Sequence, residues 1–163
     1  MLGKGDPLEE LRVPKRRVLA QIVLPGGETR EVFVFLAEAT PEHNGGERLS
    51  DLLNSGTKFL PAMDATTEAM LLVNAASIAV ARVHAAHEPR GEDQLNILTE
   101  YEVEVRLVDG QQLEGLITYV MPEGRARLTD YFNQAQPFLR LVQGGRVALV
   151  NKLHVAYVET LSR

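Results

Sequence analysis

Cysteine and tryptophan are both absent from this chain of 163 residues. Without cysteine there is no disulfide, no thiolate metal site and no cysteine nucleophile, a usage that suits a reducing compartment. No apolar run approaches the roughly 20 residues of a membrane span. The opening text, Met1-Leu2-Gly3-Lys4-Gly5-Asp6, lacks the apolar stretch of a secretory signal. These absences predict a cytoplasmic chain with no membrane partner. Positive charge is also scarce: 17 Lys and Arg stand against 22 Asp and Glu, for a net charge of −5. Nucleic-acid binding neutralises phosphates with grouped cations, and the dense group here is short, Lys15-Arg16-Arg17. It reads as a solvated cluster ahead of the first strand. The chain also contains no glycine-rich phosphate loop, H-E-x-x-H string or G-x-S-x-G elbow. Nothing assembles a nucleophile, a base and an orienting group, so no enzyme and no cofactor is expected.

What is present is one text written twice. Arg48-Leu49-Ser50-Asp51-Leu52-Leu53-Asn54 reads against Arg127-Leu128-Thr129-Asp130-Tyr131-Phe132-Asn133, 79 residues further on. Phe59-Leu60 meets Phe138-Leu139 at the same spacing, and Leu72-Val73-Asn74 meets Leu149-Val150-Asn151 at 77. One short deletion reconciles the two spacings. A repeat of this kind decides the architecture before any single element does. The hydrophobic share of 45% and charged share of 24% are those of an ordinary globular chain, which two units of this size can divide between them.

The second copy shows the pattern best. Val103, Val105 and Leu107 alternate with charged residues, Asp109-Gly110 supplies a tight turn, and Leu113 to Val120 returns. One helical turn follows, with Thr129 as its cap and Leu128 and Phe132 on one face. Phe138 to Val142 and Arg146 to Val150 then read as strands joined through Gly144-Gly145, and Val155 to Val158 as a last strand. The first copy repeats the order: Ala20 to Leu24, the Gly26-Gly27 turn, Val32 to Leu36, Phe59 to Met63, Met70 to Val73 and Ile78 to Val83. Ahead of it, Asp6 as N-cap, Pro7 and Glu9 open a short helix that Pro14 ends. The expected organisation is an N-terminal helix or arm over 1–17, a first repeat over 18–86, a linker over 87–100 and a second repeat over 101–163. Five short strands per repeat make a small barrel or a strongly bent sheet, and the expected fold is all-β, two tandem small barrels, each with one helical turn.

The text Val103 to Ile117, a strand, a glycine turn and then Leu113-Glu114-Gly115, resembles the first motif of Sm-like proteins, small five-stranded SH3-like barrels that bind RNA. In such a barrel the second glycine lets a strand bend sharply. The closing strands resemble the end of the bacterial host-factor member, whose lysine and histidine face bound RNA. That resemblance implies an RNA-facing role for Lys152 and His154, whose positions in the first copy are Ala75 and Ser77. The R-L-S-D-x-L-N and asparagine-lysine-x-histidine strings also resemble a family of uncharacterised small bacterial domains, which implies no activity.

The polar residues shared by the copies are Arg48, Asp51 and Asn54 with Arg127, Asp130 and Asn133. They read as structural: Asp favours the helix dipole in a first turn, and Asn tolerates the positive φ of a turn end. Asn74 and Asn151 read the same way. His84 and His87, with Glu88 or Asp93, have ligand spacing only on a helix, and Pro89 and Gly91 mark a linker there, so no metal site is expected. All four tyrosines lie in the second copy with Lys152 and His154, which makes that copy the binding one, with Lys152, His154, Tyr131 and Asn151 as candidate contacts. The reading as a whole is a non-enzymatic assembly or binding module, a homo-oligomer or the partner of another protein. The alternative is an Sm-like RNA-binding protein that uses its second repeat.

Overall fold

The computed structural model describes residues 14–40, 45–90, 99–119 and 128–161. Alternation governs the first hairpin. Strands β1 (Lys15–Val23) and β2 (Thr29–Ala37) turn Val18, Ala20, Ile22, Val32, Val34 and Leu36 inward and leave Leu19 exposed and Gln21, Phe33 and Phe35 half-buried between them. Gly26 and Gly27, at φ of 93° and 99°, make the turn that residues with a β-carbon resist. The basic cluster is part of β1 rather than ahead of it: Lys15 pairs with Ala37, and the Arg17 guanidinium lies 4.7 Å from the centre of the Phe33 ring. The helix expected over the N-terminal arm lies outside the described residues.

Helix α1 (Leu49–Leu53) buries Leu49 and Leu53, and β3 (Phe59–Asp64), β4 (Met70–Asn74) and β5 (Val80–His84) complete the first half. The second half runs β6 (Thr99–Leu107), β7 (Gln112–Tyr119), α2 (Leu128–Phe132), β8 (Phe138–Gln143), β9 (Arg146–Asn151) and β10 (Val155–Thr160). The fold is all-β: one antiparallel sheet ordered β10-β6-β7-β8-β9-β5-β1-β2-β3-β4. Each half places its last strand beside its first and runs on through the next three. Two tandem small barrels, or strongly bent sheets, were the expectation; the sheet is single and not closed. The physical reason is that the outer edge of β5 is taken by β9 of the second half, from Val80 opposite Val150 to His84 opposite Arg146.

Gly115 shows what the second strand demands. A β-carbon there would sit 2.6 Å from Leu141 Cγ and 2.7 Å from the Val142 carbonyl oxygen, so β7 passes β8 too closely for any side chain. Thr129 corrects the expected cap: α2 begins at Leu128, which puts Thr129 inside the helix, exposed. In α1 the N-cap is Arg48, and the Asp51 carboxylate accepts from the Arg48 backbone N–H at 2.8 Å, closing a capping box.

Candidate functional site at the joint between the halves

The joint is built from apolar residues that each half lends to the other. Seventeen buried residues form the core of the first half, and three of them, Phe138, Val147 and Leu149, come from the second. In return Val23, Ala79 and Val80 belong to the core of the second half. A strand shared between two cores buries both its faces, so β9 is buried from Val147 to Asn151 and Val80 and Ala81 are fully enclosed. The first-half positions that match the three lent residues are Phe59, Met70 and Leu72. They are 56%, 62% and 74% exposed, against 5%, 1% and 1% for Phe138, Val147 and Leu149. The difference is one of neighbours: β9 has β5 beside it, whereas β4 is the edge of the sheet.

Polar side chains pin the joint. The Asn54 Oδ1 accepts from the Phe138 backbone N–H at 2.9 Å. Asn151, 3% exposed, accepts from the Leu153 N–H at 3.0 Å and donates its amide to the Ile78 carbonyl at 3.0 Å. The His154 Nε2 lies 2.8 Å from the Ala76 carbonyl, and the Asp109 carboxylate accepts from the Gly26 N–H in the turn of the other half. Four bridges of this kind, set around a largely buried strand pair, favour a single register.

Glu88 extends the joint on its other side. It follows the 3-10 turn Ala85–His87 and is fully buried, with Oε1 3.4 Å from the Ser50 N–H and Oε2 3.9 Å from Arg140. Burial pushes its carboxyl above the ordinary value, against the opposing pull of the Ser50 bond, Arg140 and Arg48. Arg140 also donates to the Glu88 carbonyl at 2.7 Å, Arg48 to the Pro89 carbonyl at 2.9 Å, and Arg90 to the Thr118 hydroxyl at 2.6 Å. Residues 88–90, expected in the linker, thus tie α1 to β7 and β8. The rest of that linker, 91–98, lies outside the described residues.

The residues singled out from sequence fall into two groups. Asn151 and Lys152 line a cleft of about 750 Å³ at the joint, together with Phe59, Phe138, Lys58 and Leu153. The Lys152 ammonium donates to the Gln134 carbonyl at 2.9 Å, and burial draws its pKa below the ordinary lysine value. Tyr131 does not line that cleft but shares a small pocket beside it with Phe138 and Lys152, its ring stacked 4.8 Å from that of Tyr119, which in turn lies 6.3 Å from Tyr101. Asp51 holds Arg48 at 2.9 Å. Asp130 and Asn133 sit in and after α2, and Arg127 lies outside the described residues. The expected positive φ is absent from the described asparagines: Asn54 has φ of −92°, and Asn74 and Asn151 have −75°. Asn74 and Asn151 instead cap the 3-10 turns Ala75–Ser77 and Lys152–His154 through Oδ1. His84 does likewise through Nδ1, which accepts from the Ala86 N–H at 3.0 Å, and Glu88 turns away from both histidines towards Ser50. Among the described residues no three metal-binding side chains converge.

Sequence reasoning missed Glu88, Arg140, Phe138 and Asp109 as parts of one place. Their joint depends on a strand pairing that no local pattern announces. Set against known proteins, the chain matches no family model, no curated protein and no solved structure. What the site offers chemically is therefore read from its geometry: a sheet edge that leaves Met70 and Leu72 exposed, and a cleft with cations beside rings.

Proposed function

We propose that this chain is a non-enzymatic assembly module, made of two copies of one small Sm-like domain, which works by adding a protein strand to a sheet edge. The observation that carries the reading is the exposure of Phe59, Met70 and Leu72 at positions whose counterparts in the second half are buried by a neighbouring strand. Strand β4, Met-Leu-Leu-Val-Asn, has neither charge nor proline to keep partners away, and edges left so open serve pairing. Sedimentation velocity across a concentration series tests this. Species heavier than one chain are expected, and Leu72→Lys should abolish them. A chain that stays single at about 100 μM, and takes up no partner at β4, overturns the reading.

RNA binding is the second reading, favoured by the cleft that sets Lys58 and Lys152 beside Phe59 and Phe138. Its test is the salt dependence of single-stranded oligonucleotide binding, whose logarithmic slope Lys152→Ala should reduce by about one. With a net charge of −5, little binding is expected near physiological salt.

A further inference from the structure

We propose that a groove across β1, β5 and β9 binds a doubly charged oxyanion, the end group of a phosphate monoester. The groove encloses about 380 Å³ and is lined by Gln21, Glu31, Arg82, His84, His87 and Arg146. Gln21 stands between the core residues Ala20 and Ile22, and Arg82 between Ala81 and Val83, so both side chains leave the sheet on the face away from the first core. The groove shares no residue with the β4 edge or with the cleft beside Lys152.

The repeat shows that the fold does not require cations here. In the first half Gln21 lies opposite Glu31 on one side and Arg82 on the other. Ala81 faces Ile22 there as Val158 faces Val105 in the second half, so Arg82 matches Glu159 and Gln21 matches Glu104. The matched row of the second half is therefore Glu104 between Glu114 and Glu159. Equivalent strands in equivalent pairing carry an arginine in one half and a glutamate in the other. Strand geometry does not ask for the arginine, which leaves what meets its side chain as the reason for it.

Arg82 is held in position without being neutralised. Its Nε donates to the Gln143 Oε1 at 2.8 Å and its Nη1 to the Gln21 Oε1 at 3.1 Å, so two neutral amides fix the guanidinium plane and leave Nη2 to a ligand. Arg146, exposed on β9 opposite His84, brings a second positive charge. Among the described residues no carboxylate forms an ion pair with either arginine, although the chain has 22 Asp and Glu to draw on. Burial first, and then the like charge of Arg146, draw the Arg82 guanidinium below its ordinary pKa, a cost that a bound anion offsets. His84 adds a directed donor. Its Nδ1 accepts from the Ala86 N–H at 3.0 Å, which puts the proton of the neutral ring on Nε2.

Glu31 selects the kind of anion. A nucleic-acid backbone laid along the groove would bring further phosphates against this carboxylate, which repels them. A single terminal phosphate avoids that clash, and a hydroxyl or amine elsewhere on the same small ligand can donate to Glu31. Two guanidiniums suit a group with two charges and three free oxygens, which a monoester has and a diester lacks.

Nitrogen–proton spectra of the labelled full chain test the assignment at about pH 7.5, where a monoester, with its second pKa near about 6, is doubly charged. Methyl phosphate should shift the amides of Arg82, His84 and Arg146 saturably, with half-saturation at about 1 mM or below. Dimethyl phosphate, which carries one charge, should bind at least about tenfold more weakly. Arg146→Gln changes an exposed side chain and should weaken methyl phosphate by about tenfold while leaving the rest of the spectrum in place. Arg82→Gln should do the same at the site, and Glu31→Gln should tighten binding. Inorganic phosphate that binds about tenfold more tightly than methyl phosphate overturns the ester in favour of the free ion. An oligonucleotide without terminal phosphates that moves the same amides at lower concentration overturns it in favour of a nucleic-acid backbone. Absence of a saturable shift up to about 10 mM, or shifts undiminished in Arg146→Gln, overturns the site itself.

Discussion

The matched pair Leu149 and Leu72 offers the sharpest test of how the sheet is put together. Leu149 is 1% exposed, within the core of the other half. Leu149→Ala removes three carbon atoms, about 2.4 kcal/mol of transfer free energy at about 0.8 kcal/mol each. The residual cavity between β5, β9 and the first core raises the cost to about 3–5 kcal/mol, a large share of the stability of a chain this size. Leu72 stands at the same place in the text but is 74% exposed, so Leu72→Ala removes roughly a quarter as much burial and should cost about 0.6 kcal/mol or less. Urea denaturation of dilute protein measures both. At higher concentration the ranking should shift, because association stabilises the folded chain by mass action. The wild-type midpoint should then rise with concentration, while that of Leu72→Ala should not. If Leu72→Ala costs as much as Leu149→Ala in dilute protein, Leu72 is core within a single chain and the reasoning from matched positions fails.

Much of the fold was legible in the sequence because strands and turns are local. Alternation at Val103, Val105 and Leu107 and at Val32, Val34 and Leu36 reports which face is buried, and Asp109-Gly110 and Gly26-Gly27 report where the chain reverses. The equal strand order of the halves was likewise expected from the repeated text. The joint was not. It pairs strands from different halves, Val80 with Val150 through to His84 with Arg146, and short-range pattern does not say which strand such a distant pairing joins. One signal did exist. Val147-Ala148-Leu149-Val150 and Met70-Leu71-Leu72-Val73 are both continuous apolar runs rather than alternating ones, the mark of strands covered on both faces. The first is so covered within the chain, and the second is not. The asparagines were read as turn residues, which they are, but for the wrong physical reason. Asn74 and Asn151 accept from the N–H two residues on, and Asn54 and Asn151 span the joint, so their φ need not be positive. Thr129 was misplaced as a cap: it lies inside α2, as an exposed helix residue.

The remaining predictions concern single sites. Gly115→Ala should cost about 1–3 kcal/mol, since its β-carbon would meet the Val142 carbonyl oxygen at 2.7 Å and backbone cannot step aside; an unchanged denaturation midpoint would refute the close approach. Thr129→Ala should stay within about 0.5 kcal/mol as an exposed helix residue. Asp51→Ala should cost about 1 kcal/mol through loss of its capping box, and equal effects from the two would contradict the helix boundaries. Glu88 predicts a pH dependence. Burial raises its folded pKa above the ordinary 4.5, so between 4.5 and the raised value the folded chain holds a proton that the unfolded chain has released. Stability from this group is therefore fully present below pH 4.5 and is lost as pH rises through the folded pKa. Glu88→Gln keeps a neutral side chain at every pH, so its stability relative to the wild type should climb across that window and level off above it. Parallel stability curves for the two proteins from pH 4 to 8 would mean that Glu88 ionises as freely in the joint as in water, and that the joint is open to solvent at α1.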